Sequence, residues 1–195
     1  DLVDKSHENN KKFGIALANH SLIEECETIG VDFYKVLSWD FNNYDFINKL
    51  LDTKKTIYVS TGMSNLDEII KFNDYYSDSD FVDQIILIHT QLSVDIGDVN
   101  LKVINYLKKS FSFPIAYGHH CANMNVLYAA SVMEPSDLFF YIKGSETHKH
   151  PDEDFAIFWD DLPEFIDNIN ELNVALGSET KIKMENYIDK ENIKT

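Results

Sequence analysis

Short apolar or β-branched runs recur at residues 13–18, 33–38, 56–60, 84–89, 113–117 and 138–142, and each is followed by a longer segment whose apolar residues fall at helical spacing. Leu22, Ile23, Cys26 and Ile29 share one helical face, as do Leu66, Ile69, Ile70 and Asn73, with acidic residues on the remaining positions. Ser64 to Asp67 reads as a variant capping box, with a hydroxyl to accept backbone N–H groups and a carboxylate in the first turn. The pattern predicts six strands alternating with helices. Strands that are almost continuously apolar are buried on both faces, which argues for a parallel sheet covered outside by the helices. An open doubly wound sheet and a barrel both meet that description.

Polar residues cluster directly after four of the strands, at Ser38-Trp39-Asp40, Ser60-Thr61-Gly62, His89-Thr90-Gln91 and Gly118-His119-His120. In either architecture the loops at the C-terminal ends of parallel strands converge on the ligand site. The four clusters therefore point to one shared site. No GxGxxG or P-loop glycine pattern follows any strand, which argues against a nucleotide-binding fold.

With 195 residues, 44% of them hydrophobic, residues 1–195 are expected to form one domain with a substantial core. No stretch approaches the ~18 to 20 apolar residues of a membrane span, and the N-terminus lacks the regions of a signal peptide. A soluble, cytoplasmic protein is the expectation, although a chain that opens on Asp1 rather than Met is compatible with a piece of something longer. Cys26 and Cys121 form no CxxC pair and are too few for a disulfide framework. A formal charge of −16 opposes nucleic acid and anionic membranes as partners, because both reward a basic face. It leaves a small anionic substrate open, since one or two lysines in a pocket set the local potential.

The segment Ser60-Thr61-Gly62-Met63-Ser64-Asn65-Leu66-Asp67-Glu68-Ile69 resembles the sialic acid synthase family, whose fifth strand ends in a similar STGM turn followed by LxEI. Residues 33–44, reading Phe-Tyr-Lys-Val-Leu-Ser-Trp-Asp-Phe-Asn-Asn-Tyr, resemble that family's fourth strand and its NN segment. Ile86-Leu87-Ile88-His89 resembles its LLH strand, and Pro114-Ile115-Ala116-Tyr117-Gly118-His119-His120 its PVGYSDHT strand. The resemblance runs in order across about residues 13–177. It implies an α/β fold, a TIM-type (β/α) barrel, of which this chain would hold about six of the eight units, the family's strands three to eight. A complete barrel needs ~250 residues, so the chain is short for one on physical grounds too. Residues 161–195 are expected to be terminal helices.

The same resemblance implies a reaction: phosphoenolpyruvate condenses with an N-acetylmannosamine-type acylated amino sugar, with a divalent metal (Mn²⁺ or Mg²⁺), to give a nine-carbon 2-keto acid. Lys35 matches a lysine that holds phosphoenolpyruvate, and its compact charge suits a carboxylate or phosphate. Ser38, Ser60 and Thr61 are further candidate substrate-binding residues, although strand-end serines and threonines also shape turns. Asp40 stands where the family has a catalytic glutamate, one methylene shorter; Asp152, in a Pro-Asp pair, is a second candidate acid or base. His120 matches one metal-binding histidine.

Several positions depart from the family. Ile142 stands where the second metal histidine belongs, and the nearby His148 and His150 lie in a His-Lys-His stretch whose preferred reading is a solvated loop, because rigid strand ends position ligands better than loops. Residues 91–95, Gln-Leu-Ser-Val-Asp, lack the family's Asn-x-Tyr, and Ala18-Asn19-His20-Ser21 replaces its Ser-Thr-Pro-Phe turn. The leading expectation is a sialic acid synthase-like transferase. The alternative is a catalytically degenerate partial barrel that binds or assembles. A weaker third reading is an aldolase with Lys35 as a Schiff-base former. Two unpaired sheet edges lead to the expectation of a homo-oligomer or a partner segment supplying the missing strands.

Overall fold

The computed structural model describes residues 1–144 and 150–182. The order of elements is α1 (Leu2–Glu8), β1 (Gly14–Ala16), α2 (Ile23–Thr28), β2 (Phe33–Val36), α3 (Tyr44–Leu51), β3 (Thr56–Ser60), α4 (Leu66–Tyr76), β4 (Ile85–Thr90), α5 (Lys102–Ser110), β5 (Ile115–Gly118), α6 (Asn125–Ser131), β6 (Leu138–Phe139), β7 (Tyr141–Lys143), β8 (Ala156–Phe158) and α7 (Leu162–Leu176). Strands β1 to β6 form one parallel sheet in chain order, and β7 and β8 pair as a separate parallel ribbon. Because each strand adds beside the last, the crossovers share one sense and put their helices on one face of the sheet. A doubly wound sheet would require the order to reverse, and it does not.

Alternation along the strands divides the two faces. Tyr34, Val36, Ile57, Val59, Ile85, Leu87, Ile115 and Tyr117 are essentially inaccessible and pack beneath the helices. They meet Ile47, Leu50 and Leu51 of α3, Ile69, Phe72 and Tyr76 of α4, and Ile104 and Leu107 of α5. The opposite face carries Lys35, Tyr58, Ser60, Ile88, Thr90, Gly118 and Phe139, brought into register as Lys35 beside Tyr58, Ser60 beside Ile88, Thr90 beside Gly118 and Gly118 beside Phe139.

That second face is concave. Adjacent strands lie about 4.8 Å apart, so in a flat sheet β2 and β6 would be separated by roughly 19 Å. Instead the Nζ of Lys35 on β2 lies 5.9 Å from the ring centre of Phe139 on β6, and the Tyr58 ring on β3 lies 4.8 Å from that same ring. The Tyr58 hydroxyl also reaches Asp137 Oδ1 at 3.2 Å, tying β3 to the entry of β6. The sheet is curled into part of a barrel.

Local structure departs from the sequence expectations in four places. The capping box of α4 sits one residue later: Asn65 Oδ1 accepts from the Glu68 N–H at 3.0 Å, and Glu68 Oε2 accepts from the Asn65 N–H at 2.8 Å. Glutamate spans the distance back to the cap N–H, whereas the carboxylate of Asp67 is one methylene shorter. The buried face of α4 is Ile69, Phe72 and Tyr76, while Leu66 and Ile70 are exposed. Residues 138–142 do not form one strand: the chain breaks at Phe140, whose ring packs 5.2 Å from Phe165 of α7, and Tyr141 starts the second ribbon with Ala156 as its partner. A run of Leu-Phe-Phe-Tyr-Ile carries no polar position to mark that break. Finally, the terminal helix occupies Leu162–Leu176, with Pro163 in its first turn, and Gly177 follows at φ 61°. Residues 183–195 lie outside the described residues.

At the N-terminal edge, Asp32 anchors α1 to the sheet. One carboxylate oxygen accepts from the Phe13 N–H at 2.6 Å and pairs with His7 Nε2 at 2.8 Å. The Phe13 bond, and then the bond to His7, hold the Asp32 carboxyl below its ordinary pKa. A carboxylate depressed on folding stabilises the native state above its unfolded pKa of about 3.9, and the benefit disappears as pH falls through the folded value. Asp32→Asn should therefore cost about 1 kcal/mol at pH 7. Chemical denaturation measured from pH 7 downward should show the difference shrinking below about pH 4. A cost that persists unchanged at pH 2 would assign the effect to packing instead of charge.

Candidate active site

The C-terminal ends of β2 to β6 surround a cavity of about 110 Å³, lined by Lys35, Ser60, Ile88, Thr90, Gly118, His120, Phe139 and Tyr141 among others. Lys35 points inward because its neighbours Tyr34 and Val36 are taken by the core. Burial pushes the Lys35 pKa down, and the charge of Asp152 partly opposes that. Ser38, in the tight turn after β2, donates its hydroxyl to Ser60 Oγ at 3.2 Å, which orders Ser60 at the cavity wall.

His120 also faces the cavity. Its ring lies 5.4 Å from Tyr141 and 5.2 Å from Phe155. Burial lowers its pKa, the nearby Lys35 cation lowers it further, and Asp152 acts in the opposite sense. His120 is therefore a neutral imidazole at neutral pH. His119 also lines the cavity, with its Nδ1 3.3 Å from the Tyr117 hydroxyl, and burial followed by the influence of His120 pushes its pKa down to about 4.

Lys35, Ser60 and His120 thus line one cavity, with Ser38 bonded behind and Asp152 close enough for its charge to act on both Lys35 and His120. Two of the other sequence candidates are engaged elsewhere. Thr61 donates its hydroxyl to the Ile88 carbonyl at 2.9 Å and lines a different cavity, between α4 and α5. Asp40 sits at the same end of the sheet, but its Oδ1 lies 3.3 Å from His20 Nε2 and accepts from Asn43 Nδ2 at 3.3 Å. The His20 ring stacks on Phe46 at 3.7 Å and 9°, which fixes the plane in which it meets Asp40. His20, Thr90, Phe139 and Tyr141 were not singled out by the sequence; only Thr90's place after a strand signalled a role.

A divalent ion is poorly served here. Among the described residues no three His, Cys, Asp or Glu side chains come together to hold a metal. Ile142 is exposed at 46%, and the groups around His120 are two aromatic rings, the Lys35 cation and, acting through its charge, the carboxylate of Asp152. His150 is described, its Nδ1 accepting from the Asp152 N–H at 3.3 Å, whereas His148 lies outside the described residues. The described donors do not fit a metal centre.

A curled parallel sheet with a lysine, hydroxyls and a neutral imidazole at the C-terminal ends of its strands defines a partial (β/α) barrel with a small polar cavity at its mouth. The chain belongs to the NeuB family, whose sequence profile matches residues 5–181. It is 28% identical over 190 residues to an uncharacterized protein of Methanocaldococcus jannaschii, covering 92% of this chain and 55% of that one. It is 26% identical over 160 residues to N-acetylneuraminate-9-phosphate synthase of Homo sapiens, covering 82% of this chain and 45% of the synthase. A pseudaminic acid synthase of Campylobacter jejuni is 28% identical over 150 residues, with 74% of this chain and 42% of the synthase covered. The chain spans about half the length of these curated relatives.

The fold is similar to the crystal structure of N-acetylneuraminic acid synthetase from Leptospira borgpetersenii in complex with citrate, with a TM-score of 0.84, 20% identity, and 94% of this chain and 65% of that one covered. A truncated 3-deoxy-D-arabino-heptulosonate 7-phosphate synthase from Thermotoga maritima matches at a TM-score of 0.77 and 12% identity over 92% of this chain and 72% of that one.

The metal question is open to direct measurement. Calorimetric titration of the chain with Mn²⁺ should show no tight binding, since no three His, Cys, Asp or Glu side chains come together among the described residues and a site with fewer protein ligands has little affinity. A tight one-to-one site that survives His120→Ala would place the ligands elsewhere.

Proposed function

We propose that the complete protein containing this chain condenses phosphoenolpyruvate with an N-acetylmannosamine-type sugar to a nine-carbon 2-keto acid. The observation that carries this reading is the inward lysine: Lys35, with Ser60 and its partner Ser38, gives a positive, hydroxyl-lined cavity at the barrel mouth. At about 110 Å³ the cavity holds a small oxyacid. Sites for drug-sized ligands are about 300 to 1,000 Å³, so the sugar would lie above it in the open mouth.

In this reading Lys35, Ser38 and Ser60 fix the phosphate or carboxylate of phosphoenolpyruvate, so that its methylene carbon faces the aldehyde carbon of the open sugar. A carbon–carbon bond forms as the enol π electrons attack the aldehyde, whose oxygen takes up a proton. Water then adds to the cation-like carbon that bears the phosphate, losing one proton, and the resulting hydroxyl passes its remaining proton to the departing phosphate as the carbon–oxygen bond to phosphate breaks, leaving the keto group. Asp40 and Asp152 are the proposed acid for the aldehyde oxygen and base for the attacking water. Asp152 already lies within electrostatic reach of Lys35 and His120. Positioning is the main contribution, as held reactants gain on the order of 7 to 11 kcal/mol in favourable comparisons. No step is assigned to Mn²⁺ or Mg²⁺; we propose that such an ion is held weakly by His120.

The unpaired outer edges of β1 and β6 are proposed to be completed by further strands, from the same protein or from a second copy, because bare edges invite pairing. A cytoplasmic setting follows from the proposed substrates, and among the described residues no helix is long and apolar enough to cross a membrane. A second reading, a non-catalytic binding or assembly module, is favoured by exposed Ile142 and by the aromatic rings that flank His120.

Phosphate release from phosphoenolpyruvate with N-acetylmannosamine and Mn²⁺ separates the readings. Residues 1–195 alone should be silent and the complete protein active, with Lys35→Met lowering kcat/KM by at least about a hundredfold, about 2.7 kcal/mol. Full activity in Lys35→Met would remove the proposed site, and silence of the complete protein with several acyl sugars would favour the non-catalytic reading.

A further inference from the structure

The hydroxyl of Thr90 is buried and has no hydrogen-bond partner among the described residues. Thr90 is the last residue of β4 and is 2% exposed. A buried hydroxyl without a partner is costly, so its persistence calls for a reason. Thr90 lines the same cavity as Lys35 and Ser60.

Two glycines leave the space around it open. A Cβ on Gly118, directly beside Thr90 in register, would lie 3.3 Å from Thr90 Oγ1, 3.2 Å from its Cβ and 2.9 Å from Ile88 Cγ2. A Cβ on Gly62 would lie 2.9 Å from Thr90 Cγ2 and 2.8 Å from Ser38 Oγ. Neither glycine has a positive φ, so neither is required by the backbone conformation; each is explained by the close approach of Thr90 and its neighbours. Any larger residue at position 118 would crowd the side of Thr90 on which its free oxygen lies.

We propose that Thr90 is a ligand-binding residue whose hydroxyl donates to an oxyanion seated between it and Lys35, in the room left by Gly118. The inference rests on the reading of this cavity as the seat of a small phosphorylated acid, and it adds a donor on β4 to those of β2 and β3. A water's share of liquid volume is about 30 Å³, so the cavity takes a group the size of a few waters, which suits a phosphoryl or carboxylate group and excludes a sugar ring. An oxyanion bound there gives the Thr90 hydroxyl the acceptor that the described side chains and backbone do not supply.

The intact protein, titrated calorimetrically with phosphoenolpyruvate, inorganic phosphate and pyruvate, tests this. Thr90→Val, which exchanges the hydroxyl for a methyl group of similar size, should weaken phosphoenolpyruvate binding about tenfold, equivalent to about 1.4 kcal/mol. The same variant should raise the melting temperature of the ligand-free protein, because it removes an unsatisfied buried polar atom. Thr90→Ser, which keeps the oxygen, should bind like the unaltered protein. Weakening toward phosphate alone assigns the donor to the phosphoryl group, and weakening toward pyruvate alone assigns it to the carboxylate; both support the proposal. Undiminished binding by Thr90→Val, while Lys35→Met loses it, overturns the role of Thr90 and leaves the cavity's function standing. Undiminished binding by Lys35→Met, or no binding of any of the three anions by the unaltered protein, overturns the anion site as a whole.

Discussion

The curl of the parallel sheet is the constraint on which the rest of the structure depends. With Tyr34, Val36, Ile57, Val59, Leu87 and Tyr117 committed to the helix-covered face, every alternate residue must face the concavity, whatever its polarity. Curling then brings residues from strands four positions apart within contact of one another, as the approach of Lys35 to Phe139 shows. A flat sheet with the same register would leave Lys35, Ser60, Thr90 and Phe139 as a row along an open face. The site therefore exists because of curvature, and the large apolar side chains beneath the helices maintain it.

Electrostatics inside the concavity follow from that enclosure. A buried lysine is costly unless an opposite charge or a ligand offsets it, and here Asp152 supplies part of that offset from a loop beyond the last strand of the sheet. The same lysine, added to burial, keeps His120 neutral, so Lys35 meets an uncharged imidazole there rather than a second cation. Asp40 is turned instead toward His20 and Asn43, in a second polar group held by the stack of His20 on Phe46. The two groups lie at the same end of the sheet and are built from different loops.

Among relatives, the family's metal chemistry is the feature this chain shows least. His120 is retained, yet it is flanked by Tyr141 and Phe155, and the residue expected to complete the metal pair is an exposed isoleucine. The hydroxyl and lysine side of the mouth is better developed, with Ser38, Ser60 and Lys35 ordered by register and by the bond between the two serines.

The alternation of strands and helices, their parallel arrangement and the family's barrel fold were legible in the sequence, because apolar period and motif order are local properties that survive in one dimension. So was the inward role of Lys35, a charged residue interrupting an apolar strand. The break at Phe140 was not legible, since five consecutive apolar residues carry no sign of which sheet each will join, and β8 is too short to show a period. Neither was the contact of His119 with the Tyr117 hydroxyl, which depends on how the chain leaves β5. Thr61 and Thr90 look alike in sequence, each a strand-end threonine. Only the tertiary structure separated them, because Thr61 has the Ile88 carbonyl within reach, whereas Thr90 lies against two glycines and its hydroxyl has no partner among the described residues.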